Sequence, residues 1–174
     1  MKHFLIVVDM QKDFVDGALG TPEAVAIVPA VCDRIRTFEG EIIVTYDTHP
    51  ATYLDTAEGK KLPVVHCVKD TDGWQLDAAV ASALADKAYK VVEKPTFGST
   101  ALPALITEMA GEEDFDVTLI GLCTDICVVS NALLLKAHFP EVPIAVVASA
   151  CAGVTPDTHA AALTTMKMCQ IDVI

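Results

Sequence analysis

The chain has 174 residues, and 24 acidic against 12 basic side chains give it a formal net charge of −12. That balance argues against a nucleic-acid or anionic-membrane surface, since both partners are polyanions. Hydrophobic residues make up 52% of the chain, enough for the core of a single domain spanning 1–174, and no uncharged apolar run reaches the roughly 18 residues a membrane helix needs.

Taken in order, Phe4 to Val8 is a continuous apolar run rich in β-branched residues, as a strand buried on both faces requires, and it ends at Asp9. Asp9 interrupts the N-terminal apolar stretch and no small-residue cleavage pattern follows, so a first strand is expected there instead of a signal peptide. Thr21-Pro22 reads as a cap followed by proline at the first helical position, opening a helix to about Phe38 with Val25, Val28, Ala30, Val31 and Ile35 facing the core. Ile42 to Tyr46 is a second strand, ending at Asp47. Thr48 to Thr71 shows little periodicity; a connection that long in a compact domain is usually functional, and this one carries His49 and His66. A short Ala-rich helix is expected over Leu76 to Asp86 and a third strand over Tyr89 to Val92, running into Lys94. Ser99 or Thr100 is placed to cap a helix over Ala101 to Ala110. Val117 to Ile120 is a fourth strand, breaking at Gly121 and turning into a helix over Val128 to His138. Val142 to Ala148 is a fifth strand, Thr155-Pro156 opens a last helix, and Ile171 to Ile174 is a candidate sixth strand.

Strands alternating with helices predict an α/β fold, a three-layer α/β/α sandwich around a mainly parallel sheet of about six strands. Such sheets bind ligands beyond the carboxyl ends of their strands. Asp9, Asp47 and Lys94 each end a strand and Cys127 follows a fourth, so the chemically useful side chains gather along one edge. A thiol at the start of a helix tends to ionise, because the first N–H groups are unpaired and carry the positive end of the dipole. Taken alone, Cys127 is more often a small core residue, Asp9 a turn residue and Lys94 a solvated lysine. Asp47, His49 and His66 supply one carboxylate and two imidazoles, a common facial metal-ligand set, although a His pair in a loop is more often merely solvated. His3, His138 and His159 stand alone and read as structural or surface residues. The six cysteines, at 32, 67, 123, 127, 151 and 169, contain no C-x-x-C pair, which points to reduced thiols and a cytoplasmic protein.

The stretches Val8-Asp9-Met10-Gln11-Lys12-Asp13-Phe14, Asp47-Thr48-His49-Pro50, His66-Cys67-Val68, the strand-end Lys94, and Gly121-Leu122-Cys123-Thr124-Asp125-Ile126-Cys127-Val128 follow one another in a recognisable order. Over nearly its whole length the chain resembles the isochorismatase-like cysteine hydrolases, and within them the nicotinamidases. The resemblance implies a catalytic set of Asp9, Lys94 and Cys127. It also implies a cis peptide between Leu122 and Cys123, with the backbone N–H groups of Cys123 and Cys127 forming the oxyanion hole. Asp47, His49 and His66 would hold a divalent metal, commonly zinc with manganese or iron as alternatives, and Phe14 would pack on the substrate ring. The implied reaction is hydrolysis of a small carboxamide through a thioester, nicotinamide to nicotinate plus ammonia being the leading expectation, in a protein that is a homo-oligomer in many relatives. Leu62-Pro63-Val64-Val65 stands where relatives carry Trp-Pro before the second ligand histidine, which alters the pocket wall. Alternatives are hydrolysis of another amide or ureido compound, vinyl-ether cleavage of the isochorismate type, or phosphoryl transfer on Asp9, Thr45, Lys94 and Asp125. The last lacks the second Asp two residues beyond Asp9, where Gln11 stands. A metal- or redox-responsive protein using the six cysteines is a non-enzymatic alternative, weakened by the lack of close pairs.

Overall fold

The computed structural model describes residues 1–174. Its sheet is made of β1 (Lys2–Val8), β2 (Glu41–Asp47), β3 (Tyr89–Lys94), β4 (Phe115–Leu122), β5 (Ile144–Ala152) and β6 (Asp172–Val173). All six strands are parallel, in the order β3-β2-β1-β4-β5-β6. β1 is central, and Phe4 to Val8 are fully buried. Its alternate side chains feed opposite cores. Leu5 and Val7 pack with α2 (Pro22–Thr37) and α4 (Ala78–Leu84), while Phe4, Ile6 and Val8 pack with α5 (Ala101–Ala110), α6 (Val129–His138) and α7 (Pro156–Met168). That period-two division is why the strand needs an unbroken apolar run, and it produces the three expected layers.

The helix starts follow the local chemistry. The Thr21 hydroxyl accepts the Ala24 N–H at 3.0 Å ahead of Pro22. Thr155 and Thr158 form a reciprocal capping box ahead of Pro156. Asp77 caps α4 through Ala79 and Val80, which starts that helix two residues later than its sequence suggests. The core face of α2 runs through Ala24, Ile27, Val31 and Ile35, and Val25, expected inside, is 49% exposed. Neither Ser99 nor Thr100 caps α5 with its side chain. β5 begins at Ile144 and runs on to Ala152, four residues beyond its expected end.

The long connection holds more structure than its pattern shows: a 3₁₀ turn at Tyr53–Asp55 and the five-residue α3 (Ala57–Lys61), capped by Thr56. Another short helix, α1 (Lys12–Val15), follows β1 directly. Elements of one turn complete too little of the 3.6-residue period to register in a sequence pattern. Between β4 and α6 lies a π-helical turn, Thr124–Val128, which delays the α-helix to Val129. Gly121, at the end of β4, has φ of 115°, and a Cβ there would run into the Val8 carbonyl of the neighbouring strand.

Candidate active site

The strand order reverses between β1 and β4, and at such a switch point the connections leave on opposite sides and open a crevice at the carboxyl ends. Asp9 lies one residue past β1, Lys94 closes β3, and Cys127 sits in the π turn after β4. Asp9 turns out of the strand with φ of 47°, an uncommon conformation for a residue with a side chain, and its N–H stays tied to the Thr45 carbonyl at 3.2 Å.

The Lys94 ammonium is the hub. It lies 2.5 Å from Asp9 Oδ2 and 3.4 Å from Cys127 Sγ, and donates to the Thr96 carbonyl at 3.1 Å. Both Lys94 and Asp9 are completely inaccessible to solvent. The Thr45 hydroxyl donates to the other Asp9 oxygen at 2.6 Å. Burial pushes the Asp9 carboxyl above its ordinary pKa, with Lys94 opposing and Asp47 assisting. For Lys94 burial acts downward, but the charges of Asp9, Cys127 and Asp47 outweigh it and hold the ammonium protonated. Burial and the neighbouring Asp9 push the Cys127 thiol well up despite Lys94. This corrects the helix-start expectation. Cys127 rests as a neutral thiol, because it lies inside a dry turn next to a carboxylate, where loss of solvation exceeds the benefit of the helix end.

A second cluster adjoins the first. Asp47, His49 and His66 come together as their types suggested, and Glu58 of α3 joins them, with one ligand atom from each within 4.8 Å of the others. His49 Nε2 is 2.9 Å and His66 Nε2 3.5 Å from Asp47 Oδ2, while both lie under 4 Å from Glu58 Oε1. Burial acts to raise the Asp47 carboxyl, but the hydrogen bonds from His49 and His66 and the Lys94 charge hold it below the usual carboxylate range. Burial acts to lower His66, yet its bonds to Asp47 and to the Val64 carbonyl, with the charge of Glu58, raise it overall. Asp47 Oδ1 is buried without a hydrogen-bond partner, 3.5 Å from Lys94. An unsatisfied carboxylate oxygen beside two imidazoles and a second carboxylate is a donor set suited to a divalent cation.

Between the clusters lies a cavity of about 210 Å³, with Asp47, Glu58 and His66 on one side and Cys123 and Cys127 on the other. Phe14, Leu19, Leu62, Phe97 and Ile126 give it apolar walls, so the chain's departure at Leu62 does fall on the pocket. The Phe14 ring packs edge-on to His66 with centroids 5.5 Å apart. The Leu122–Cys123 peptide is cis, and the Cys123 N–H donates to no group of the protein. Cys123 itself is pushed up to about 12 by burial, an inert thiol.

Three residues at this site went unassigned in the sequence. Glu58 lies in the long connection Thr48 to Thr71, where only His49 and His66 stand out in the sequence. Gln11 belongs to the first family-like stretch but carries no role there, yet it is fully buried. Its Nε2 donates to the Asp47 and Trp74 carbonyls at 2.9 Å each, and its Oε1 accepts the Asp47 N–H at 2.7 Å. It thus replaces the β1–β2 pairing that ends when Asp9 turns away. A fully amide-bearing side chain just past a buried strand was its only signal. Thr45, a candidate for phosphoryl transfer in the sequence, instead orients Asp9 through its hydroxyl. Asp125, the fourth member of that alternative, directs both carboxylate oxygens at the Val154 N–H, 3.2 Å away. The lone histidines are structural: His3 pairs with Asp116, His159 bonds the Thr124 hydroxyl and His138 meets Phe139 edge-on. All six cysteines are free.

Residues 3–174 match the model of the isochorismatase domain. The fold superposes on a nicotinamidase/pyrazinamidase of Bacillus subtilis with a TM-score of 0.85 at 26% identity, covering 99% of each chain. A Pyrococcus horikoshii pyrazinamidase, solved in complex with zinc, matches with a TM-score of 0.82 at 28% identity over 100% of this chain and 99% of that one. A nicotinamidase of Saccharomyces cerevisiae is 29% identical over 119 residues, 52% of this chain and 55% of that protein, so the chain aligns with about half that relative's length.

Proposed function

Because the chain belongs to the isochorismatase family, we propose that it is a cysteine-dependent amidohydrolase acting on a small ring carboxamide, nicotinamide being the substrate of choice. The observation that carries this reading is the dry Lys94 ammonium joining the Asp9 carboxylate at 2.5 Å to the Cys127 sulfur at 3.4 Å, with Cys127 lining the cavity. Relatives named nicotinamidase or pyrazinamidase support the substrate class.

In this mechanism Cys127 attacks the carboxamide carbon while its proton passes to Asp9, which burial makes a stronger base than an ordinary carboxylate. The carbonyl oxygen gains negative charge and is received by the Cys123 and Cys127 N–H groups. The carbon–nitrogen bond then breaks, Asp9 returns the proton to the departing nitrogen, and ammonia leaves. A water attacks the thioester carbon as Asp9 takes its proton; the carbon–sulfur bond breaks, and the proton goes back to sulfur. Lys94 stays charged throughout and offsets the negative charge shared between Asp9 and Cys127. Asp47, His49, His66 and Glu58 would hold a divalent metal, zinc by analogy with the P. horikoshii relative, and Gln11 and Tyr53 fix those ligands from behind. A metal held there would supply a Lewis-acidic anchor for a donor atom of the substrate ring.

Ammonia release from a panel of amides that includes nicotinamide, with and without chelator, tests the proposal. Turnover of nicotinamide that chelation suppresses is the expected result, and silence on every amide would sink it. The aliphatic wall at Leu62 favours one second reading, a different small carboxamide, which the same panel would reveal as a higher kcat/KM.

A further inference from the structure

Asn131, in the first turn of α6, is completely buried and takes no part in the chemistry above. Its amide makes three hydrogen bonds. Nδ2 donates to the Cys127 carbonyl at 2.8 Å and to the Phe97 carbonyl at 3.2 Å, and Oδ1 accepts the Ser99 N–H at 2.9 Å. The first of these lies on the turn that carries the nucleophile. The other two cross to the loop between β3 and α5, the loop on which the Lys94 ammonium rests through the Thr96 carbonyl at 3.1 Å. A closed circuit results: from the Cys127 backbone through Asn131 to the loop, from the loop to Lys94, and from Lys94 back to the Cys127 sulfur at 3.4 Å.

The turn needs such a brace. Thr124–Val128 is π-helical, with the Val128 N–H reaching back to the Cys123 carbonyl at 3.0 Å, so its hydrogen bonding is out of step with the α-helix that follows. Core packing holds it in place, since Cys127 and Val128 share a cluster with Val92 and Leu102, but its hydrogen-bonded link to the β3–α5 loop runs through Asn131. Only a planar amide offers two donors and an acceptor at fixed angles, and a hydroxyl or carboxylate cannot fill all three positions.

We infer that Asn131 is a positioning residue: it locks the π turn to the lysine-bearing loop and so sets the Cys127 sulfur against the Lys94 ammonium. It touches neither substrate nor reacting atoms, and the inference rests on the reading of Cys127 as the nucleophile. Gln11 does the corresponding work for the Asp47 strand end, so the two halves of the site are braced separately, each by one buried amide.

The test is Asn131→Thr, which keeps a hydroxyl donor for the Cys127 carbonyl and gives up both links to the loop. Three measurements are taken: the thermal midpoint, kcat and KM for ammonia release, and the rate of Cys127 alkylation by iodoacetamide, assigned by peptide mass. The expected result is a cooperative unfolding transition with its midpoint lowered by about a few degrees, an unchanged KM, kcat reduced about ten- to a hundred-fold, and slower alkylation, because the sulfur has lost the ammonium that favours its thiolate. A residue that only props up the fold gives the opposite sign, since a loosened turn exposes the sulfur and alkylation quickens. Faster alkylation, or wild-type values of both kcat and alkylation, overturns the inference. Asn131→Ser, which gives up both links to the loop without adding a charge, is read by the same criteria if the threonine variant does not fold, and failure of both to fold makes Asn131 a folding residue and also overturns it. The alkylation arm needs no substrate. Slowed alkylation in a protein that releases ammonia from no amide would leave the positioning role standing while the proposed activity falls.

Discussion

Cys123 and Cys127 are four residues apart in one turn, and their surroundings give them different work. Cys127 Sγ faces Lys94 and Asp9, whereas the N–H of Cys123, part of the cis peptide, donates to no group of the protein. Cys127→Ala is expected to lower kcat at least about a thousand-fold, as loss of a covalent nucleophile does. Cys123→Ala leaves the backbone donor in place and should cost under about 0.7 kcal/mol of barrier, roughly three-fold in rate. Steady-state ammonia release on the two purified variants checks both, and a crippled Cys123 variant with an intact fold would reverse this division of labour.

Among the elements, the single turn from Asp9 to Phe14 organises both clusters. It supplies Asp9 to one, braces Asp47 through Gln11, and lays Phe14 against His66, while Asp13 accepts the Cys67 N–H at 2.8 Å next to His66. Replacing Gln11 by Leu strands buried groups of Asp47 and Trp74 and loosens, from behind, a residue proposed to hold the metal. Losses of this kind cost about ten- to a hundred-fold in metal affinity, to be read as a zinc dissociation constant by chelator competition with no assay of turnover. Gly121→Ala, at φ 115° against the Val8 carbonyl, should lower stability by about 1–3 kcal/mol from backbone conformation alone. An unchanged unfolding midpoint would show that β1 and β4 can move apart there.

For the whole molecule, the stability should depend on pH differently with and without metal. The folded protein raises the pKa of His66, so in the metal-free protein its contribution is full below the unfolded value and is lost as pH rises through the raised one. Metal needs that imidazole neutral and competes with the proton. The gain in thermal midpoint on adding zinc should therefore grow between about pH 5.5 and pH 8. A gain that shrinks over that interval would exclude His66 from the ligand set.

The sequence by itself determined the layers and the edge at which the site forms. A buried central strand must be apolar at every position, Thr-Pro pairs start helices for local reasons, and polar residues at successive strand ends of a parallel sheet share one rim; each signal spans a few neighbouring residues. The order of motifs along the chain likewise pointed to the residues that meet there. What only the tertiary structure decided was distance and solvation. Nothing local to Glu58 tells that α3 folds it over two histidines, nothing local to Gln11 or Asn131 tells that each amide closes a gap between segments far apart in the chain, and the state of the Cys127 thiol follows from a carboxylate 118 residues away and the exclusion of water around both. Hydrogen-bond partners and dielectric surroundings are set by packing between elements, and packing is a property of the folded chain alone.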